Sequence, residues 1–188
     1  MAEIIVFHHA RGLTDGVLAF AERLRELGHT VYAPDLFDGR LFDTTEDGVA
    51  HAQELGFDTI ADRGVAFAEQ LPPAVVYLGF SMGVVPAQRL AQTRQGALGA
   101  VLCHSALPPS EFGAWPAAVP VQTHAKEEDP WFVEDRESAE HIATTAHGEL
   151  FLYPGAEHLF ADSSTTDYDP DAAALMEERI TAFLAPWA

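Results

Sequence analysis

Three short stretches of this 188-residue chain hold the side-chain types that nucleophilic catalysis needs. The first, Gly79-Phe80-Ser81-Met82-Gly83, has the form G-x-S-x-G. Where such a pentapeptide joins a strand to a helix, its serine stands on a sharp, strained turn, and the two glycines let neighbouring backbones approach closely. The helix that follows aims its amides at charge developing beside the serine. A serine hydroxyl is a weak nucleophile, so it needs an adjacent base, and the base needs an acid to orient it. Both types occur further on: Asp129 in Lys126-Glu127-Glu128-Asp129-Pro130, and His158 in Tyr153-Pro154-Gly155-Ala156-Glu157-His158. The chain order Ser, Asp, His is the one that accompanies this motif. Each residue also has a plainer reading. Ser81 can close a turn, His158 can sit in a surface loop, and Asp129 can cap a helix before Trp131, with Glu127 and Glu128 as rival carboxylates.

These residues act together only if the chain brings them to one edge of a sheet. Short β-branched runs alternate with segments of helical period, the pattern of βα units and a mainly parallel sheet. Strands are expected at 4–7, 30–33, 74–78, 99–103, 119–124 and 149–153, about six in all. Val17, Phe20, Ala21, Leu24 and Leu27 form one helical face, with Thr14 or Asp15 as cap and Gly28 as stop. Further helical faces are Ile60, Gly64, Phe67 and Leu71, the stretch from Val84 to Gln92, then Ala139, Ile142, Ala143 and Ala146, and finally Met176, Ile180, Phe183 and Leu184. Residues 35–47, 105–120 and 161–170 read as irregular. In an open α/β sheet ligands bind beyond the carboxyl ends of the strands. That directs attention to 8–12, 34–37, 79–83, 104–105, 125–131 and 154–158, which include all three candidate residues.

The chain has the length of a single domain, 1–188, and its 48% hydrophobic content suits one continuous core. Its 29 acidic against 10 basic side chains leave a net charge of -19, which repels phosphate backbones and anionic membrane surfaces. Nucleic acid and membrane are therefore excluded as expected partners. Met1-Ala2-Glu3 leads directly into Ile4-Ile5-Val6-Phe7 without the pattern of a secretory signal, so a cytoplasmic protein is expected. Cys103 is the only cysteine, which rules out an intramolecular disulfide and thiolate zinc sites. His8, His9, His104, His124, His141 and His147 are too scattered to suggest a metal centre, and adjacent residues on a strand point to opposite faces. No metal or cofactor is expected.

Over nearly all of its length the chain resembles the dienelactone hydrolase family. The resemblance runs through His8-His9-Ala10-Arg11-Gly12-Leu13, Ala33-Pro34-Asp35-Leu36-Phe37, the G-x-S-x-G pentapeptide, Asp129-Pro130 and Tyr153-Pro154-Gly155-Ala156-Glu157-His158-Leu159-Phe160. It implies an α/β-hydrolase fold, a doubly wound mainly parallel sheet with helices on both faces, and hydrolysis of a small ester or lactone. It assigns Ser81 as nucleophile, His158 as base and Asp129 as orienter, with an oxyanion hole from the amides of Met82 and Ala10. His9 and Arg11 beside that turn either touch substrate or cap the neighbouring loop. Trp131, Phe160, Phe112 and Trp115 either line an apolar acyl pocket or belong to the core.

The chain departs from the family pattern in three places. Ser81 stands where the dienelactone hydrolases proper carry cysteine, His9 where they carry an acidic residue, and Asp162 where an arginine pairs with the substrate carboxylate. A carboxylate at that place repels an anionic lactone, so a neutral substrate is expected. The chain has no room for a large lid, which implies an open cleft. The competing reading is a non-catalytic binding or regulatory protein on the same fold, against which the intact Ser81, Asp129 and His158 argue. Nucleotide binding is disfavoured because the turn from His8 to Leu13 lacks the glycine fingerprint.

Overall fold

The computed structural model describes residues 1–146 and 148–187. It contains a six-stranded, all-parallel sheet. The strands are β1 (Glu3–Phe7), β2 (Thr30–Tyr32), β3 (Val75–Phe80), β4 (Gly99–Cys103), β5 (Val121–Lys126) and β6 (Glu149–Tyr153), in spatial order β2-β1-β3-β4-β5-β6. The helices are α1 (Asp15–Glu26), α2 (Thr45–Leu55), α3 (Phe57–Ala68), α4 (Val84–Thr93), α5 (Arg136–Thr145) and α6 (Pro170–Leu184).

Strand periodicity divides the core into two apolar layers. Ile4 and Val6 of β1 point to one face, where they join Val17, Phe20 and Leu24 of α1 and Met176, Ile180 and Leu184 of α6. Ile5 and Phe7 point to the other, among Ala52 of α2, Ile60 of α3, Ala87 and Leu90 of α4, and Ile142 of α5. A strand covered on both faces reads as a continuous apolar run. β3, Val75-Val76-Tyr77-Leu78-Gly79-Phe80, is such a run and is buried at every position.

The strand order reverses at β1. The chain goes outward from β1 to β2, then returns so that β3 pairs with β1 on its other side. The crevice beyond the carboxyl ends of β1 and β3 is thus the switch point at which open α/β sheets bind ligands. The turn at His8 to Gly12 and Ser81 both emerge there.

All six expected strands are present, with shifted ends: β3 continues through Phe80, and β5 spans Val121–Lys126 rather than 119–124. Helix α2 is the element the sequence pattern did not reveal. Thr44 caps it, accepting from the Asp47 N–H, and Glu46 and Asp47 suit its positive N-terminal end. Gly48 and His51 interrupt its apolar period. Gly48 has a packing reason, since a Cβ there would come within 2.0 Å of the Ala10 carbonyl oxygen. No helix among the described residues is long and apolar enough to cross a membrane.

Candidate active site

The turn after β3 holds Ser81 in the left-handed region, at φ +49°. A serine there stores strain of about 1–3 kcal/mol that the surrounding packing has to hold. Both flanking glycines are sterically required. A Cβ on Gly79 would lie 2.3 Å from the Gly83 carbonyl oxygen, and one on Gly83 would lie 2.3 Å from that of Phe7. These contacts press the turn against β1 and stand Ser81 clear of it.

His158 and Asp129 come to Ser81 from the loops after β6 and β5. Ser81 Oγ lies 2.8 Å from His158 Nε2, and His158 Nδ1 lies 2.7 Å from Asp129 Oδ2. The Asp129 carboxylate accepts from Nδ1–H, which leaves Nε2 free to accept the serine proton. The other carboxylate oxygen, Oδ1, accepts from the Trp131 N–H at 2.9 Å, and Asp129 is buried. The rivals Glu127 and Glu128 are exposed. Their backbone amides bond to the Tyr153 and Gly155 carbonyls, which turns this loop so that Asp129 alone of the three points inward.

Ser81 and His158 open onto a cleft of about 440 Å³. Ala10 and Met82, the proposed oxyanion residues, line it beside them. Val49, Phe57, Leu107, Phe112 and Trp131 make much of its wall apolar, and Trp131 lies against His158 with ring centroids 5.8 Å apart. Its charged residues are Asp58, Glu111 and Asp135 against a single cation, Arg89, which donates to Asp62 at 2.8 Å. Burial pushes the Asp135 carboxyl above its usual value, opposed by bonds from Ser105 Oγ at 2.5 Å and the Ala106 N–H at 3.3 Å.

His104, at the end of β4, also lines the cleft. Its φ of +69° is left-handed, and its buried Nδ1 has no partner among the described residues. Burial drives its pKa well below the usual value, with the nearby histidines adding to the effect, so the ring is neutral at neutral pH. It packs against Phe80, His158 and Phe160.

The structure separates the other expected substrate contacts. Trp131 and Phe112 line the cleft, whereas His9, Arg11 and Phe160 do not. His9 is buried with Nε2 2.6 Å from Asp162 Oδ2, and Arg11 Nε donates to the Phe42 carbonyl at 3.0 Å. Phe160 is fully buried between His104 and Tyr153. Trp115 is a partly buried core residue whose Nε1–H donates to the Val119 carbonyl. Asp162, expected to face substrate, is instead 3% exposed and bonded to His9, Thr14 and Ser164. Asp162 therefore does not stand in the cleft where it would repel an anionic substrate directly. No group of three potential metal ligands occurs among the described residues, and His147 lies outside them.

A parallel sheet of this order with a strained serine at the strand-to-helix turn defines an α/β-hydrolase. The model of the dienelactone hydrolase family matches residues 1–187, and the chain belongs to that family. Its coarse activity class is accordingly hydrolase. Among solved structures, the chain is similar to a Klebsiella pneumoniae subsp. pneumoniae protein assigned to the dienelactone hydrolases, with a TM-score of 0.78 at 17% identity, covering 98% of this chain and 87% of that one. It is equally similar, with a TM-score of 0.78 at 20% identity and coverage of 99% and 86%, to a dienelactone hydrolase-like promiscuous phosphotriesterase from metagenomic libraries. A thioesterase of the prodiginine biosynthetic pathway of Streptomyces coelicolor follows with a TM-score of 0.60 at 16% identity, covering 96% and 85%. At these identities the likeness concerns the fold. No curated protein matches the sequence.

Proposed function

We propose that the protein is a serine hydrolase that cleaves small carboxylic esters or lactones through an acyl-enzyme. The carrying observation is the hydrogen-bonded array of Ser81, His158 and Asp129, at 2.8 and 2.7 Å, opening onto a largely apolar cleft. In this reading His158 Nε2 takes the Ser81 proton as Oγ attacks the substrate carbonyl carbon, and Asp129 stabilises the resulting imidazolium. The amides of Ala10 and Met82 donate to the oxyanion of the tetrahedral intermediate. One such donor is worth about 3–4 kcal/mol of transition-state stabilisation. His158 then returns the proton to the departing alcohol oxygen. Water, deprotonated by the same nitrogen, attacks the acyl carbon and releases the acid and free Ser81. No step in this sequence calls for a metal or cofactor.

The cleft also bears on substrate charge. Three carboxylates and one arginine already engaged by Asp62 give it a negative balance, within a protein of net charge -19. A neutral ester meets no such repulsion. The test is a screen of short p-nitrophenyl esters and small lactones with purified protein and Ser81→Ala. Turnover that disappears in Ser81→Ala is the expected result. Equal turnover by the two proteins contradicts the proposal.

A further inference from the structure

A second aspartate–histidine pair lies just behind the first. His9 and Asp162, 153 residues apart in sequence, meet through the 2.6 Å bond from Nε2 to Oδ2, and both are almost wholly buried. The Arg11 N–H donates to His9 Nδ1 at 3.2 Å, so that nitrogen is the acceptor of a neutral ring and the proton resides on Nε2, aimed at Asp162. Burial lowers the pKa of His9 against the pull of Asp162, which agrees with a neutral ring. Burial of Asp162 opposes its ionisation, but the bonds from His9, Ser164 and Thr14 together hold its carboxyl well below the usual value. Its negative charge is met by donors from His9, the Thr14 hydroxyl, and the Ser164 hydroxyl and amide.

This carboxylate joins two segments that a serine hydrolase has to hold in register. Asp162 lies four residues after His158, in the same loop, and its N–H bonds to the Leu159 carbonyl. His9 begins the turn that carries the Ala10 amide. The His9 carbonyl accepts from the Gly12 N–H at 3.0 Å and from His8 Nδ1 at 2.8 Å. Because the peptide is planar and trans, fixing this carbonyl fixes the opposed direction of the Ala10 N–H. The His9 ring adds the third hold on the turn by gripping Arg11 N–H from one side and Asp162 from the other. The first turn of α1 is shaped around the carboxylate: Thr14 caps the helix and also donates to Asp162, and a Cβ on Gly16 would lie 1.7 Å from Asp162 Oδ1.

We infer that His9 and Asp162 form a positioning pair that keeps the Ala10 amide in register with the loop carrying His158. The inference rests on the proposed serine-hydrolase reading of the cleft. Neither residue touches substrate; the pair acts through the geometry of the turn, where a displacement of about 1 Å can cost about 100-fold in rate. His9→Asn retains an acceptor near the Nδ1 position but is too short for Asp162, while His9→Gln brings an amide nitrogen near the Nε2 position.

The experiment measures kcat and KM on p-nitrophenyl acetate for wild type, His9→Asn, Asp162→Asn, their double variant and His9→Gln, well below each melting temperature. In parallel, NMR follows the His9 ring tautomer and the Ala10 and Arg11 amide shifts. The pair predicts that each single variant loses about 10- to 100-fold in kcat with KM little changed. The double variant loses no more than the worse single one, and His9→Gln recovers part of the loss. The wild-type ring carries its proton on Nε2, and the two amide shifts move alike in both single variants. A lowered melting temperature with unchanged kcat, additive losses, or a loss confined to KM overturns the inference. If wild type hydrolyses no ester, the reading of the cleft fails instead. The amide shifts then decide the pair alone, since shifts that stay put in either single variant overturn it.

Discussion

Two aspartate–histidine pairs lie at the carboxyl edge of the sheet and make the same kind of bond. In both, a buried carboxylate oxygen meets an imidazole nitrogen, at 2.7 Å for Asp129–His158 and 2.6 Å for Asp162–His9. They differ in what occupies the second ring nitrogen. For His158 it is a serine hydroxyl at the mouth of a cleft, whereas for His9 it is the Arg11 backbone amide in the interior. A ring that faces a transferable proton can work as a base, and one that faces a peptide N–H can only hold it. The pairs also use opposite tautomers, with the proton on Nδ1 in His158 and on Nε2 in His9. An Asp–His contact is thus insufficient to mark a catalytic site; the third partner decides.

Asp129→Asn should reduce kcat by about 10⁴-fold by favouring the wrong tautomer of His158, while Glu127→Gln and Glu128→Gln should stay within about twofold. Asp162→Asn should fall between them. Steady-state kinetics on one ester orders the variants, and a larger loss at Glu128 than at Asp129 would move the orienting role to Glu128.

A second prediction concerns the neutral rings that the interior holds. Burial lowers His8 to about 4 and His124 to about 3, and lowers His9 and His104 as well. A folded state that binds protons more weakly than the unfolded chain is favoured at high pH. The stabilisation is therefore complete above the ordinary histidine value of 6.5 and drains away as pH falls toward 4. At about 1.4 kcal/mol per pH unit, His8 alone contributes about 3 kcal/mol. Urea midpoints at high salt, which screens the net charge of -19, should decline steadily from pH 7 to pH 5. A flat profile would mean that these rings are protonated inside the fold.

Gly16→Ala tests the second pair without touching either member. Its Cβ would meet Asp162 Oδ1 at 1.7 Å, so the carboxylate has to move. A loss of about 1–3 kcal/mol in stability is expected, together with a reduced kcat. Retention of both would show that Asp162 has room to move without consequence. The smallest effect concerns substrate charge. A neutral ester should exceed a matched carboxylate-bearing ester in kcat/KM, and Asp135→Asn should narrow the gap by a few-fold at low salt. An anionic substrate that is faster and weakened by salt would point to Arg89 as a working cation.

The sheet was legible because parallel strands buried on both faces leave runs such as Val75 to Leu78, and because the residues following those runs define the ligand edge. That rule, taken with the G-x-S-x-G pentapeptide and the chain order Ser, Asp, His, directed attention to Ser81, Asp129 and His158, while Glu127 and Glu128 stayed open as rivals to Asp129. Helix α2 escaped because Gly48, which packing requires against Ala10, reads as a breaker. Arg89 and Phe57 escaped because they reach the cleft from helices α4 and α3, and Asp135 because it sits just before α5, where proximity to a strand end gives no signal. His9 and Asp162 each stood out as departures from the family pattern. Their pairing across 153 residues is a tertiary fact that neither residue announces.

Covalent labelling decides whether Ser81 is a nucleophile activated by His158 and Asp129. Folded protein is treated with a fluorophosphonate, digested, and mapped by mass spectrometry. An activated Ser81 takes up one equivalent of label on its own peptide, with none in Ser81→Ala and much slower labelling in Asp129→Asn. Folded wild-type protein that stays unlabelled, or that carries its label on another residue, would contradict it.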